Sequence, residues 1–250
     1  MAPELQSPPI TWPILAWLTV ALAGAFLPVG AMLLFANGST PAMIVFSAGP
    51  IMAVGLMGAG MIAAAASGRF WNGVILALLV GSCLTVIALG LGMPFLSHPS
   101  SIGIAFAAAS ISFAARGALF ARSVGVKGWL VAVFVVAGEA AILITAWAEP
   151  GALPDWLLAL LPAQWASIAI QAALTGTGTF AASSALIALG GTAAATLVVA
   201  ELWPRRWPYA IMFSAWIGLS ALVYHHPGPP MSVAEISPTF ATPSPFVPER

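Results

Sequence analysis

The sequence predicts an all-α fold, a polytopic helical membrane bundle of about seven transmembrane helices. Three observations carry that expectation. Hydrophobic residues make up 61% of the 250 positions and charged ones only 6%, against about 25% charge in a typical soluble domain. Mean hydropathy is +1.03, so the chain is solvated mainly by lipid. Six of the seven Lys and Arg residues, namely Arg69, Arg116, Arg122, Lys127, Arg205 and Arg206, fall on one side of the membrane that the apolar runs define. That bias is the usual signature of the cytoplasmic side.

A bilayer core of about 30 Å needs roughly 20 apolar residues per helix. Seven stretches meet this clearly: 12–36, 42–67, 71–96, 101–123, 128–148, 179–203 and 207–224. The first stops at Asn37-Gly38-Ser39-Thr40-Pro41 and the second at Ser67-Gly68-Arg69. The third stops near Ser97-His98-Pro99 and the fifth at Glu149-Pro150-Gly151. The sixth stops at Trp203-Pro204-Arg205-Arg206 and the last at His225-His226-Pro227. Pro and Gly punctuate nearly every boundary, where a helix has to end. Trp12, Trp17, Trp71, Trp129, Trp147, Trp203 and Trp207 lie near these ends, and the amphipathic indole favours the membrane border. The first apolar run is too long for the core of a cleaved signal peptide and reads as a retained helix.

The segment 154–175 is the ambiguous one. It is long enough to span, yet it contains Pro162, Gln164, Ser167 and Gln171. With seven spans and an inside N-terminus, every inner loop holds the Lys and Arg residues, while Glu149 and Asp155 lie outside. An eighth span would move Arg205-Arg206 outward and break the pattern. The segment is therefore expected to be interfacial or re-entrant on the outer side, with an eighth span as the alternative. The chain divides into an N-terminal tail (1–11), a transmembrane domain (12–226) and a Pro-rich C-terminal tail (227–250) that can bury little by itself.

Few groups offer chemistry. Glu139 lies about eleven residues into the fifth span, roughly 16 Å deep at 1.5 Å per residue. A carboxylate at that depth is costly unless partnered and marks an ion or proton path or a buried pair. Arg116 lies about seven residues from the inner end of the fourth span. The short loop around Gly125 makes the two spans antiparallel neighbours, so Arg116 could reach Glu139. The pair reads as a relay for protons or cations, as a structural ion pair, or as a protonated Glu139 hydrogen-bonded to a neighbour. His98, His225 and His226 fall together on the expected outer side, where imidazoles can bind a transition metal. No helical spacing strengthens that reading, and ordinary interfacial histidines are the simpler one. Glu201 and Arg205 stand four residues apart and could pair if the helix continues through Pro204.

Small residues recur every fourth position at Ser184, Ala188, Thr192, Thr196 and Ala200, and at Gly60 and Ala64 with Gly55 and Gly58 nearby. Such ridges let helix backbones approach closely. The run TGTGTF at 175–180 lacks the strand and the Lys of a phosphate loop. The single cysteine, Cys83, excludes an intramolecular disulfide and a multi-cysteine metal site. Net charge is zero and there is no basic run, which argues against a nucleic-acid partner. No motif ties the chain to a known family or names a cofactor.

The composition thus points first to a non-catalytic subunit or accessory protein of a larger membrane complex, with lipid and other membrane subunits as partners. A small-solute or ion transporter or channel using Glu139 and Arg116 comes second, and a membrane-embedded enzyme third. The expected setting is a bacterial inner membrane, with the N-terminus inside and the C-terminus outside.

Overall fold

The computed structural model describes residues 11–36, 41–93, 99–205 and 207–226. The two tails and His98 lie outside these. The described residues are helices and short connections, without a strand. Six stretches are long and apolar enough to cross a bilayer: Pro13–Ala36, Ile44–Ser67, Phe70–Gly90, Pro99–Ala148, Ser183–Glu201 and Trp207–His225. The fourth is twice the usual length because it holds two helices, α5 (Pro99–Val124) and α6 (Gly128–Ala148). They are separated by a 3-10 turn at Gly125–Lys127, where Gly125 takes φ +63°. An L side chain rarely adopts that conformation, so the glycine breaks the helix and lets α6 pack back on α5.

The first rod is α1 (Thr11–Ala21) continued by α2 (Leu27–Ala36) through a π-helical turn at Leu22–Phe26. Pro28 explains the turn. It has no N–H to give the carbonyl of Gly24, and its ring crowds that carbonyl, so the ladder has to open one residue wider. Leu27 N–H accordingly bonds back to Leu22. The turn is pressed on α3 (Pro41–Ser67): a Cβ at Gly24 would sit 2.9 Å from Ala59 Cβ, and one at Gly58 would sit 2.7 Å from the Ala23 carbonyl.

α3 is the axis of the molecule. Buried residues make up 78% of its most apolar stretch, against 17% for α11 (Trp207–His225). It packs on α1, α2, α5, α6, α4 (Phe70–Gly90) and α8 (Pro162–Leu174). Its composition allows this. Gly49, Gly55, Gly58 and Gly60 admit neighbouring backbones, and Met52, Met57 and Met61 fill the irregular gaps between them. The expected ridge on α10 (Ser183–Glu201) is also a packing face: Ser184, Ala188, Thr192, Thr196 and Ala200 are all buried. α10 packs on α5, α8 and α11, and α11 lies at the periphery.

The segment 154–175 is not one continuous helix. It breaks at Leu160-Leu161 into α7 (Asp155–Ala159) and α8. Thirteen residues give α8 only about 20 Å. Its direction follows from its contacts. Ala163 N–H donates to Glu139 Oε2, halfway along α6, while Gln171 Nε2 donates to the carbonyl of Val45, in the second turn of α3. α8 therefore starts near mid-bundle and climbs to the end where α3 begins. The chain leaves α6 at that same end, dips through α7, and returns through α8. This is a re-entrant segment. It lies within the bundle rather than flat on the surface, and eleven of the thirteen α8 residues are buried. A turn and the short α9 (Gly178–Ala181) then lead into α10.

The close approach of α5 and α3 is testable at Gly117, whose Cβ would meet the Met61 carbonyl and Ala64 Cβ. Gly117→Ala should lower the thermal stability of the detergent-solubilised protein by about 1–3 kcal/mol, the usual cost of overpacking. Gly138→Ala on α6, with nothing within 4 Å of the new carbon, should be neutral or slightly stabilising. Equal losses at both positions would contradict the packing.

Candidate functional site

Four helices meet at mid-depth around the two interior charges. Glu139 lies on the buried stripe of α6 with Ala132, Val136 and Leu143, at the offsets of three, four and seven residues that place side chains on one helix face. Arg116 shares a face of α5 with Ser112, four residues earlier. Thr192 faces them from α10, and the N-terminus of α8 faces Glu139.

Glu139 solves a problem created by the re-entrant segment. The first turn of a helix has backbone N–H groups with no partner inside the helix, and in a bilayer no bulk water supplies one. At α8 each is accounted for. Pro162 has no N–H. Ala163 N–H donates to Glu139 Oε2 at 2.9 Å. Gln164 and Trp165 N–H both donate to the Leu161 carbonyl, at 3.0 and 3.2 Å. The carboxylate also sits at the positive end of the helix dipole. Trp165, fully buried, donates its indole N–H to the Ala159 carbonyl at 2.8 Å and closes the corner between α7 and α8.

Arg116 is less well served. Its Nη2 makes a long contact of 3.5 Å to Thr192 Oγ1. The Thr192 hydroxyl donates to the Ala188 carbonyl at 2.7 Å, so it can accept from Arg116. Ser112 Oγ also lies 3.5 Å from it. The guanidinium carbon stands 5.9 Å from the centre of the Phe113 ring, within the range of a cation–π attraction. Nη1 is enclosed and has no hydrogen-bond partner. Glu139 is in electrostatic range of Arg116, yet the ion pair between Arg122 and Glu201 is the one found among the described residues within 4.0 Å. The expected pair therefore shares a neighbourhood without a direct bridge. Both side chains remain partly accessible, so the site is not sealed.

The other candidates are dispersed. His225 and His226 end α11; the His225 ring meets Tyr224 edge-on, and the His226 carbonyl accepts from Ser184 Oγ at 2.9 Å. Among the described residues no three His, Cys, Asp or Glu side chains gather as a metal site. Glu201 pairs with Arg122 at 3.0 Å rather than with Arg205, because α10 stops at Glu201 and turns toward Pro204. Arg122 Nη1 also reaches the Ala200 carbonyl, placing a cation on the negative end of α10.

Sequence reasoning found Glu139 and Arg116 from their depth alone. Thr192 stands out in the sequence only as one of the small residues recurring along its helix, and neither Ser112 nor the Ala163 backbone stands out at all. Pro162 was the available signal for the last, since proline is favoured at a first helical position.

The cap predicts an order of substitution effects. Glu139→Gln keeps an acceptor for Ala163 N–H and should be mild. Glu139→Leu leaves that N–H unpaired and should cost about 1–3 kcal/mol, with faster hydrogen exchange over residues 155–165. Equal thermal shifts, or unchanged exchange, would show that the carboxylate does not hold α8. No protein-family model matches this chain, and no curated protein or solved structure shows significant similarity to it.

Proposed function

We propose that the protein handles a small ion or polar solute inside the bilayer, at the site formed by Arg116, Glu139 and Thr192. The supporting observation is the interrupted segment: α8 begins at mid-depth against Glu139, beside a cation whose Nη1 lacks a partner. Helices that start or stop within the membrane bring partial charges and polar side chains to a depth where continuous helices present only apolar surface. An arginine at that depth costs several kcal/mol, and a merely structural bundle has no need of it. A solute bearing an oxygen acceptor suits the free N–H, and Glu139 supplies a group that can exchange a proton.

The reading as a non-catalytic subunit of a larger complex stands second. It is favoured by α11, which packs mainly on α10 and leaves Ile211, Phe213 and Ile217 exposed. Lipid covers such a face as readily as a partner helix would. The tail, 227–250, lies outside the described residues. Other membrane subunits, rather than nucleic acid, remain the expected macromolecular partners.

Orientation follows the charges. Arg69, Arg122, Lys127 and Arg205 all stand at the end where α3, α5 and α10 finish, and the proposed side for that end is the cytoplasm. The C-terminus then lies outside, in a bacterial inner membrane.

Reconstitution tests the function. Proteoliposomes on a solid-supported membrane, exposed to concentration jumps of inorganic ions, amino acids and carboxylates, should give a transport current for at least one class. Glu139→Gln and Arg116→Gln should each reduce that current at least tenfold while leaving the protein monodisperse. Currents unaffected by both substitutions, or no current for any class, would sink the proposal. In the second case a stoichiometric co-purifying membrane protein, released when residues 231–250 are removed, would move the subunit reading ahead.

A further inference from the structure

A second feature lies at the other end of α5, away from the mid-bundle site. A cleft of about 300 Å³ opens between the start of α1, the end of α3 and the turn joining α5 to α6. Its floor is small and apolar, with Ala65, Ala66 and Ala121. Trp17 and Trp129 flank it, and Gly68 and Val126 form part of its rim. Because α3 ends at Ser67 and the turn at Gly125–Lys127 joins two spans, the cleft sits where hydrocarbon gives way to headgroups. Indoles favour that level.

Its charge is one-sided. Arg69 follows Gly68, which leaves α3 with φ +66°, and Lys127 follows Val126. Both are exposed, and neither forms an ion pair among the described residues. Glu201, the acid that ends α10, is paired with Arg122. Each cation thus directly follows a residue of the rim and has no ion-pair partner among the described residues, beside an apolar, aromatic-sided floor. We infer that this cleft binds an anionic phospholipid, its phosphate between Arg69 and Lys127 and the start of its acyl chains on the alanine floor beside Trp17 and Trp129. Basic pockets between helix ends suit such headgroups. A free phosphate would not need the apolar floor, and a zwitterionic lipid would not need the two cations.

The test is native mass spectrometry of the full-length protein in mild detergent, with phosphatidylglycerol or phosphatidylcholine added in equal amounts. Phosphatidylglycerol should be retained at least fivefold better. The double variant Arg69→Gln/Lys127→Gln and the exposed rim variant Val126→Glu should lower its retention to the phosphatidylcholine level. Ala66→Phe, which fills the floor and keeps every charge, should do the same. Equal retention of the two lipids would overturn the inference. So would a preference that disappears with the charges but survives Ala66→Phe, since that describes general attraction to a basic surface. Phosphatidylglycerol retained only after removal of residues 2–10 would assign the cleft to the protein's own N-terminus.

Discussion

The hydrogen bond from Ala163 N–H to Glu139 is the contact on which the interior arrangement depends. A helix that begins inside a bilayer exposes backbone donors where bulk water is absent, and each one left open costs as much as several good packing contacts gain. Proline at the first position removes one donor, the Leu161 carbonyl takes two, and Glu139 takes the remaining one. Without that carboxylate the first turn of α8 would keep an open donor at mid-depth, although Gln171 and the buried face of α8 would still hold the segment in the bundle. With it, the same charge that would be a liability on α6 becomes the seal of α8.

Space for the re-entrant segment comes from the helices around it. α3 is crowded on nearly every side, which requires that its neighbours approach without large side chains between them. Gly49 lies against Gln171 and the Ser167 carbonyl on α8, Gly58 against Ala23, and Gly60 near Ala77 and Phe113. Lipid tails are as apolar as leucine, so burial from water does not drive these contacts. Close van der Waals packing does, and small residues maximise it. The π-helical turn below Pro28 belongs to the same arrangement, because it lays Ala23 and Gly24 directly on α3.

Charge is segregated by cost. At the basic end the cations can be solvated, and the exposed pair of Arg122 with Glu201 adds little stability of its own, while Arg122 also satisfies a carbonyl at the end of α10. At mid-depth there is no such freedom. Arg116 finds one long contact, one aromatic face and one carboxylate out of bonding reach, and retains an unpartnered N–H. A group left incompletely satisfied at such a depth is costly and open to a further hydrogen-bond partner.

Although the third and sixth stretches end as helices earlier than expected, at Gly90 and Glu201, and the sixth begins as α10 only at Ser183, the sequence by itself determined the fold class, the approximate positions of the apolar stretches, and the interior placement of Glu139 and Arg116. These follow from sums along the chain: transfer of residues into lipid, the length needed to cross it, and the conformations open to Gly and Pro. It also limited 154–175 to a choice between a span and a dip, through Pro162 and the distribution of Lys and Arg. Only the tertiary structure decided that α8 enters the bundle with its N-terminus on Glu139, that Thr192 meets both Arg116 and Ser112, and that Glu201 takes Arg122 rather than Arg205. Those outcomes depend on how each helix is rotated about its axis and which neighbour it meets. Hydropathy is nearly uniform around α6 and α10, so no amphipathic stripe in the sequence encodes their rotation. The fit of small residues between packed backbones sets it instead.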